Sequence, residues 1–231
     1  MLKATPSGQP DPACLYRLDD GLYVNLTNRC TLACTFCPRT KGDFRAAGHD
    51  LRLSREPTGR DVIGWILDGW PFGKQLPAEI VFCGMGEPTL RWEEAKALAW
   101  LARRLLRGIP LRLNTDGLAS LRQGHDVTRE VVEHFDEVSV SLNAPDGATY
   151  ARICPNRYGA TAHEAAVQFL RSIKRRGGRA RATVVALPGL DVDACQRLAD
   201  EIGVPLLVRP MGEIAPHPFA GEAEAERPPP S

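Results

Sequence analysis

Residues 137–143, Glu-Val-Ser-Val-Ser-Leu-Asn, sort their side chains by face. Side chains alternate across a strand, so Val138, Val140 and Leu142 share one face while Ser139, Ser141 and Asn143 share the other. Residues 111–116 repeat the pattern, with Leu111 and Leu113 opposed to Arg112, Asn114 and Asp116, and residues 22–27 set Leu22, Val24 and Leu26 against Tyr23, Asn25 and Thr27. A parallel sheet covered by helices on both faces reads as near-continuous hydrophobic runs. Three strands with a polar face require a wet or ligand-filled interior, which a closed or nearly closed barrel with outer helices supplies; sites in such barrels lie at the C-terminal strand ends.

The rest of the chain fits that frame. Strand patterns at 22–27, 79–83, 111–115, 137–142, 181–187 and 206–209 alternate with helical patterns, an order that argues for parallel strands joined by crossover helices. Thr58 caps a helix to about residue 68, and a second helix at 92–107 stops at Gly108. Short helices follow at 127–135 and, capped by Asp146, at 146–153. Thr161 to Glu164 has capping-box spacing for a helix that Gly177-Gly178 ends, and a last helix spans 191–202. The expected fold is α/β, a partial (β/α)6 TIM-like barrel of parallel strands, open laterally, over residues 15–212. Residues 1–14, Pro-, Ser- and Gly-containing without periodicity, and the polar tail 213–231 are expected to be disordered.

Hydrophobic residues make up 43% and charged residues 25% of the 231, an ordinary globular balance with ample core. Net charge is +1, so no global field selects nucleic acid or an anionic membrane. Five of the 29 basic residues are lysines and the rest arginines, the cation suited to phosphate and carboxylate. No apolar run approaches ~20 residues and the N-terminus lacks a signal-peptide core, so a cytoplasmic location is expected. There, seven cysteines are ligands or reduced thiols rather than a disulfide framework.

Three of them fall at Cys30, Cys34 and Cys37, in a loop directly after the first strand. Thiolates are the ligands of iron-sulfur clusters, and a cubane normally takes one cysteine at each of its irons, so three cysteines leave one iron open. A zinc site completed by His49 or Cys14 is an alternative for the same thiols. A Cys34-Cys37 redox pair is another, although it leaves Cys30 unexplained.

The loop resembles that of the radical S-adenosylmethionine (radical SAM) enzymes, whose signature is Cys-x3-Cys-x2-Cys, down to the aromatic Phe36 before the last cysteine. The resemblance implies that Cys30, Cys34 and Cys37 are the catalytic metal ligands of a 4Fe-4S cluster whose open iron is chelated by SAM. It implies reductive cleavage of SAM to methionine and a 5'-deoxyadenosyl radical, which abstracts hydrogen from a substrate.

Gly84-Met85-Gly86-Glu87-Pro88 is similar to the family's Gly-Gly-Glu motif, implying contacts of Gly84, Gly86 and Glu87 with the SAM amino group. Asn114, Ser141 and Asn143 fall where the family contacts ribose and carboxylate, and Phe36 lies where it packs near adenine. Residues 184–188 occupy the place of its adenine-binding pattern without copying it. The resemblance covers about residues 20–211, and four phrases (24–30, 82–89, 113–117 and 139–145) look most like the small radical SAM proteins associated with TatD-type nucleases. It implies an electron donor such as flavodoxin or ferredoxin and leaves the substrate, small molecule or protein, unnamed.

Arg112 and Arg209 are candidates for an anionic substrate group, while Cys83 and Cys154 read as core thiols. The competing reading is a non-catalytic metal- or cluster-binding regulatory protein on the same fold. A purely structural cluster has no need of the retained glycine-glutamate turn.

Overall fold

The computed structural model describes residues 9–73 and 75–211. The segments expected to be disordered at 1–8 and 213–231 lie outside the described residues. The chain opens with β1 (Leu15–Leu18), which pairs antiparallel with β2 (Gly21–Val24). After the cysteine loop come a two-residue hairpin of β3 (Arg45–Ala46) and β4 (His49–Asp50), then helix α1 (Gly59–Leu67). The succession continues as β5 (Glu79–Phe82), α2 (Trp92–Leu105), β6 (Leu111–Thr115), α3 (Ala119–Gln123), α4 (Thr128–His134) and β7 (Glu137–Ser141). It closes with α5 (Gly147–Ile153), α6 (Thr161–Arg175), β8 (Arg179–Val185), α7 (Val192–Ile202) and β9 (Leu206–Arg209).

The main sheet runs β1-β2-β5-β6-β7-β8-β9, with six neighbouring strands parallel and β1 alone antiparallel at one edge. The two edges do not pair with each other, so the (β/α)6 barrel is partial, as expected. Three features depart from expectation. Strand β1 was not foreseen, and the N-terminal boundary at residue 14 moves back, because Ala13 and Cys14 are buried and Asn25 donates to both their carbonyls. The expected capping box at Thr161 is absent: Ala160 holds the N-cap position and the Thr161 hydroxyl donates to the Tyr158 carbonyl at 2.7 Å. The first strand ends at Val24, three residues early, because the Asn25 and Asn28 side chains bond the carbonyls of Leu51 and Leu53 across the loop.

Face sorting explains the packing. Val24, Phe82, Leu113, Val138 and Ala180 stand in one register row across five strands and meet the helices. Phe135 closes on Phe82 edge-on at 5.0 Å, a geometry worth about 0.5–1.5 kcal/mol beyond area burial. Thr58 caps α1 with a complete capping box, its hydroxyl accepting from Asp61 N while the Asp61 carboxylate accepts from Thr58 N. On the inner face, Tyr16, Tyr23, Leu51, Val81 and Met85 form a separate apolar cluster. Beside it Arg112 donates to Glu79 at 2.7 and 3.1 Å, and Arg181 pairs with Glu137. These pairs fill the lumen toward the N-terminal strand ends, leaving the other end open for a ligand.

Candidate active site

A cavity of about 290 Å³ lies at the C-terminal ends of the strands. Cys30, Cys34, Cys37, Phe36, Gly84, Gly86, Glu87, Asn114, Ser141 and Asn143 all line it, so the structure gathers every site residue expected from the sequence around one space.

The cysteine loop crosses that space and is pinned at both ends. On one side, Ala33 N donates to Pro155 O at 2.8 Å and Thr35 N to Ile153 O at 2.9 Å, tying the loop to the end of α5. On the other, Glu87 N donates to Arg29 O at 2.8 Å. The glycines flanking Met85 make that second contact possible. A Cβ on Gly84 would stand 2.1 Å from Asn25 Oδ1, and one on Gly86 would stand 2.1 Å from Thr27 O and 2.5 Å from Arg29 O. Gly86 is required because two backbones approach closely, and Gly84 because the buried Asn25 side chain packs against it.

Glu87 has a different first task from the one expected of it. Its Oε1 accepts from Thr89 N, Thr89 Oγ1 and Thr115 Oγ1, and its Oε2 accepts from Asp116 N at 2.7 Å. The carboxylate therefore ties the turn after β5 to the turn after β6, with room left on Oε2 for one further donor. Burial, followed by the neighbouring Asp116, pushes its pKa up to about 7. Burial raises Asp116 as well, against Arg122, which donates to Asp116, Thr31 and Thr89.

The cavity lining also presents acceptors without donors. Asn114 Oδ1, Ser139 Oγ, Asn143 Oδ1 and Asp116 Oδ2 are buried and unpartnered, and all four residues line the cavity. Asn143 sits at φ +57, a left-handed turn that asparagine tolerates, and its amide donates to Cys154 Sγ at 3.3 Å. Such buried acceptors call for a ligand rich in N–H and O–H donors.

Other expectations are corrected by the geometry. Arg112 lines the cavity, but its guanidinium is held by Glu79 and the Tyr23 hydroxyl, so it is not available for a substrate anion. Cys83 lines the cavity instead of packing wholly in the core. Cys154 is fully buried, as expected of a core thiol, yet its sulfur lies 3.3 Å from Cys34 Sγ. Neither zinc partner joins the three cysteines: Cys14 packs in the helix-facing core, and His49 Nε2 lies 3.1 Å from Arg17 O on the hairpin. Among the described residues no three His, Cys, Asp or Glu side chains gather as ligands of a single ion.

Sequence reasoning also missed Arg122, Thr31 and the β3–β4 hairpin, whose Arg45 and Ala46 reach the cavity rim. Asp116, inside the Asn-Thr-Asp-Gly phrase, was the one available signal.

The donor set has the right chemistry for an iron-sulfur cluster: three thiols on one cavity wall, too dispersed for one ion. Burial, with Glu87 and Asp116, pushes the Cys30 thiol up to about 12, and the contact with Cys154 and burial push Cys34 up as well. Loading metal onto them would therefore release protons.

A partial parallel barrel with a thiol loop over its mouth defines the fold class, and comparison defines the family. The model of the Radical SAM superfamily matches residues 24–202, and the chain belongs to that superfamily of enzymes, which use a 4Fe-4S cluster and SAM. Among solved structures, SuiB of Streptococcus suis bound to S-adenosylmethionine gives a TM-score of 0.58 at 17% identity, over 84% of this chain and 41% of SuiB. Native anSMEcpe with bound AdoMet and the Cp18Cys peptide gives 0.60 at 17% identity, over 82% of this chain and 50% of its own. The chain thus spans half or less of the length of these two proteins, and the likeness at this identity is one of fold. No curated protein matches significantly by sequence.

Proposed function

We propose that the protein is a radical SAM enzyme in which Cys30, Cys34 and Cys37 hold a 4Fe-4S cluster beside a SAM site in the same cavity. When bound, the cluster supplies the electron that cleaves SAM to methionine and a 5'-deoxyadenosyl radical for hydrogen abstraction. The observation that carries this reading is that the thiol loop and the unpartnered acceptors of Asn114, Ser139 and Asn143 face one cavity. The ribose hydroxyls and ammonium of SAM are the kind of donors those acceptors lack.

Within this reading, Gly84 and Gly86 let their backbone close on the cysteine loop, and the free position on Glu87 Oε2 accepts from the SAM amino group. Asn114, Ser141 and Asn143 hold ribose and carboxylate, and Phe36, half-buried beside Cys37, packs near adenine. Tyr16, Tyr23 and Val81 pack as an apolar cluster on the lumen side.

We further infer a cytoplasmic enzyme fed by a small electron carrier such as flavodoxin or ferredoxin. All seven cysteines are free, and no helix among the described residues is long and apolar enough to cross a membrane. The wording of the four phrases noted in the sequence supports kinship with the small TatD-associated radical SAM proteins.

Anaerobic reconstitution followed by X-ray absorption at the iron and zinc edges tests the metal assignment. Iron bound as a cluster in the wild type and lost from a folded Cys34→Ala variant is expected. Tetrahedral zinc in place of iron would point to the non-catalytic reading.

A further inference from the structure

Three arginines stand on the lumen side of the sheet, and two of them are neutralised. Arg112 is held by Glu79, and Arg181 by Glu137. Arg209 ends β9, in register with Val185, and lines the cavity beside Leu207 and Thr183. Its Nε is closed off from solvent with no hydrogen-bond partner, and among the described residues no carboxylate lies within ion-pair distance of its guanidinium. Burial pulls its pKa down, opposed only by the thiols of Cys83 and Cys34.

With Nε enclosed and the residue only partly exposed, the guanidinium at the cavity wall has no carboxylate to answer its charge and is set to take an anion. Its planar fork matches a carboxylate or a phosphate in two parallel hydrogen bonds. Its place also separates it from the expected SAM contacts. Apart from Phe36, those lie at the C-terminal ends of β5, β6 and β7 and the turns that follow, whereas Arg209 belongs to the edge strand two places beyond β7. We propose that Arg209 is the residue that selects the substrate, by binding an anionic group, carboxylate or phosphate, that the substrate carries. The proposal rests on the radical SAM reading of the cavity.

Inorganic phosphate is the probe. Calorimetric titration into the reconstituted, SAM-loaded protein should show binding to the wild type, weakened at least tenfold in Arg209→Leu and retained in part by Arg209→Lys. Phenylglyoxal labelling of the wild type, read by peptide mass mapping, should modify Arg209 more slowly when phosphate is present, a measurement independent of how the variants fold. SAM affinity should stay the same in Arg209→Leu. No phosphate binding to the wild type, or equal binding to Arg209→Leu, overturns the proposal. So does a tenfold loss of SAM affinity in Arg209→Leu with phosphate competing against SAM, because Arg209 would then hold the SAM carboxylate. Failure of the radical SAM reading looks different: the wild type would bind no SAM, whatever phosphate does.

Discussion

Gly86 lies so close to Thr27 that a side chain of one carbon would stand 2.1 Å from the Thr27 carbonyl oxygen. The glycine-glutamate turn is thus a clamp on the root of the cysteine loop as well as part of the cavity lining. Gly86→Ala forces one of two backbones to move, at a cost of about 1–3 kcal/mol typical of overpacking. Urea unfolding of the cluster-free protein should show that loss, and the folded fraction should incorporate less iron.

Glu87 and Asp116 make stability depend on pH. The folded-state pKa of Glu87 is raised from 4.5 to about 7, so its contribution is fully present below 4.5 and is lost as pH rises through about 7. Asp116 is shifted in the same direction, so the two effects add in sign. Unfolding of the cluster-free protein should show stability declining as pH rises between these values. Glu87→Gln should flatten the decline while lowering stability throughout, because its NH2 would face donors from Thr89, Thr115 and Asp116.

The buried pair of Glu79 and Arg112 should behave asymmetrically. Glu79→Ala leaves a guanidinium without its carboxylate, which costs about 3–5 kcal/mol, while replacing both partners by apolar residues of similar volume should restore much of it. Chemical denaturation of the two variants distinguishes this from a simple cavity effect, which the double variant would not relieve.

Cys34 and Cys154 lie in sulfur contact at 3.3 Å. Hydrogen peroxide should join them in the cluster-free protein only slowly, and faster as pH rises, because burial and the Cys154 contact hold the Cys34 thiol protonated; each peroxide takes a proton and an electron from both thiols to give one disulfide and two waters. Peptide mass mapping should find the Cys34–Cys154 cross-link, and Cys154→Ser should abolish it. Cross-linking of Cys34 to Cys37 instead would show that the loop leaves its contact with α5.

What was legible from the sequence followed from short-range periodicity. The six parallel strands, the Thr58 and Asp146 caps and the polar lumen face are all set by residues within a few positions of each other. Strand β1 was hidden because its four residues, Leu15 to Leu18, carry no alternation that survives burial of both Leu15 and Tyr16. The hairpin was hidden because each strand is two residues long and Ala47, at φ +48, is an unusual turn residue. Thr161 misled because a hydroxyl can bond backward to a carbonyl as readily as forward to an amide.

Pairings across the barrel were beyond reach. Glu79 is 33 residues from Arg112 and Cys154 is 120 from Cys34, and only the tertiary fold of the partial barrel brings them together. The same topology separated the two candidate arginines, giving Arg112 a carboxylate and leaving Arg209 without one among the described residues.

The most direct measurement is product analysis of SAM after anaerobic reconstitution with iron and sulfide and reduction by dithionite. Methionine and 5'-deoxyadenosine should form in the wild type, only when dithionite is present, and should disappear in folded Cys30→Ala, Cys34→Ala and Cys37→Ala variants. Intact SAM after incubation with a fully loaded, reduced cluster would contradict the assignment of this cavity to radical generation.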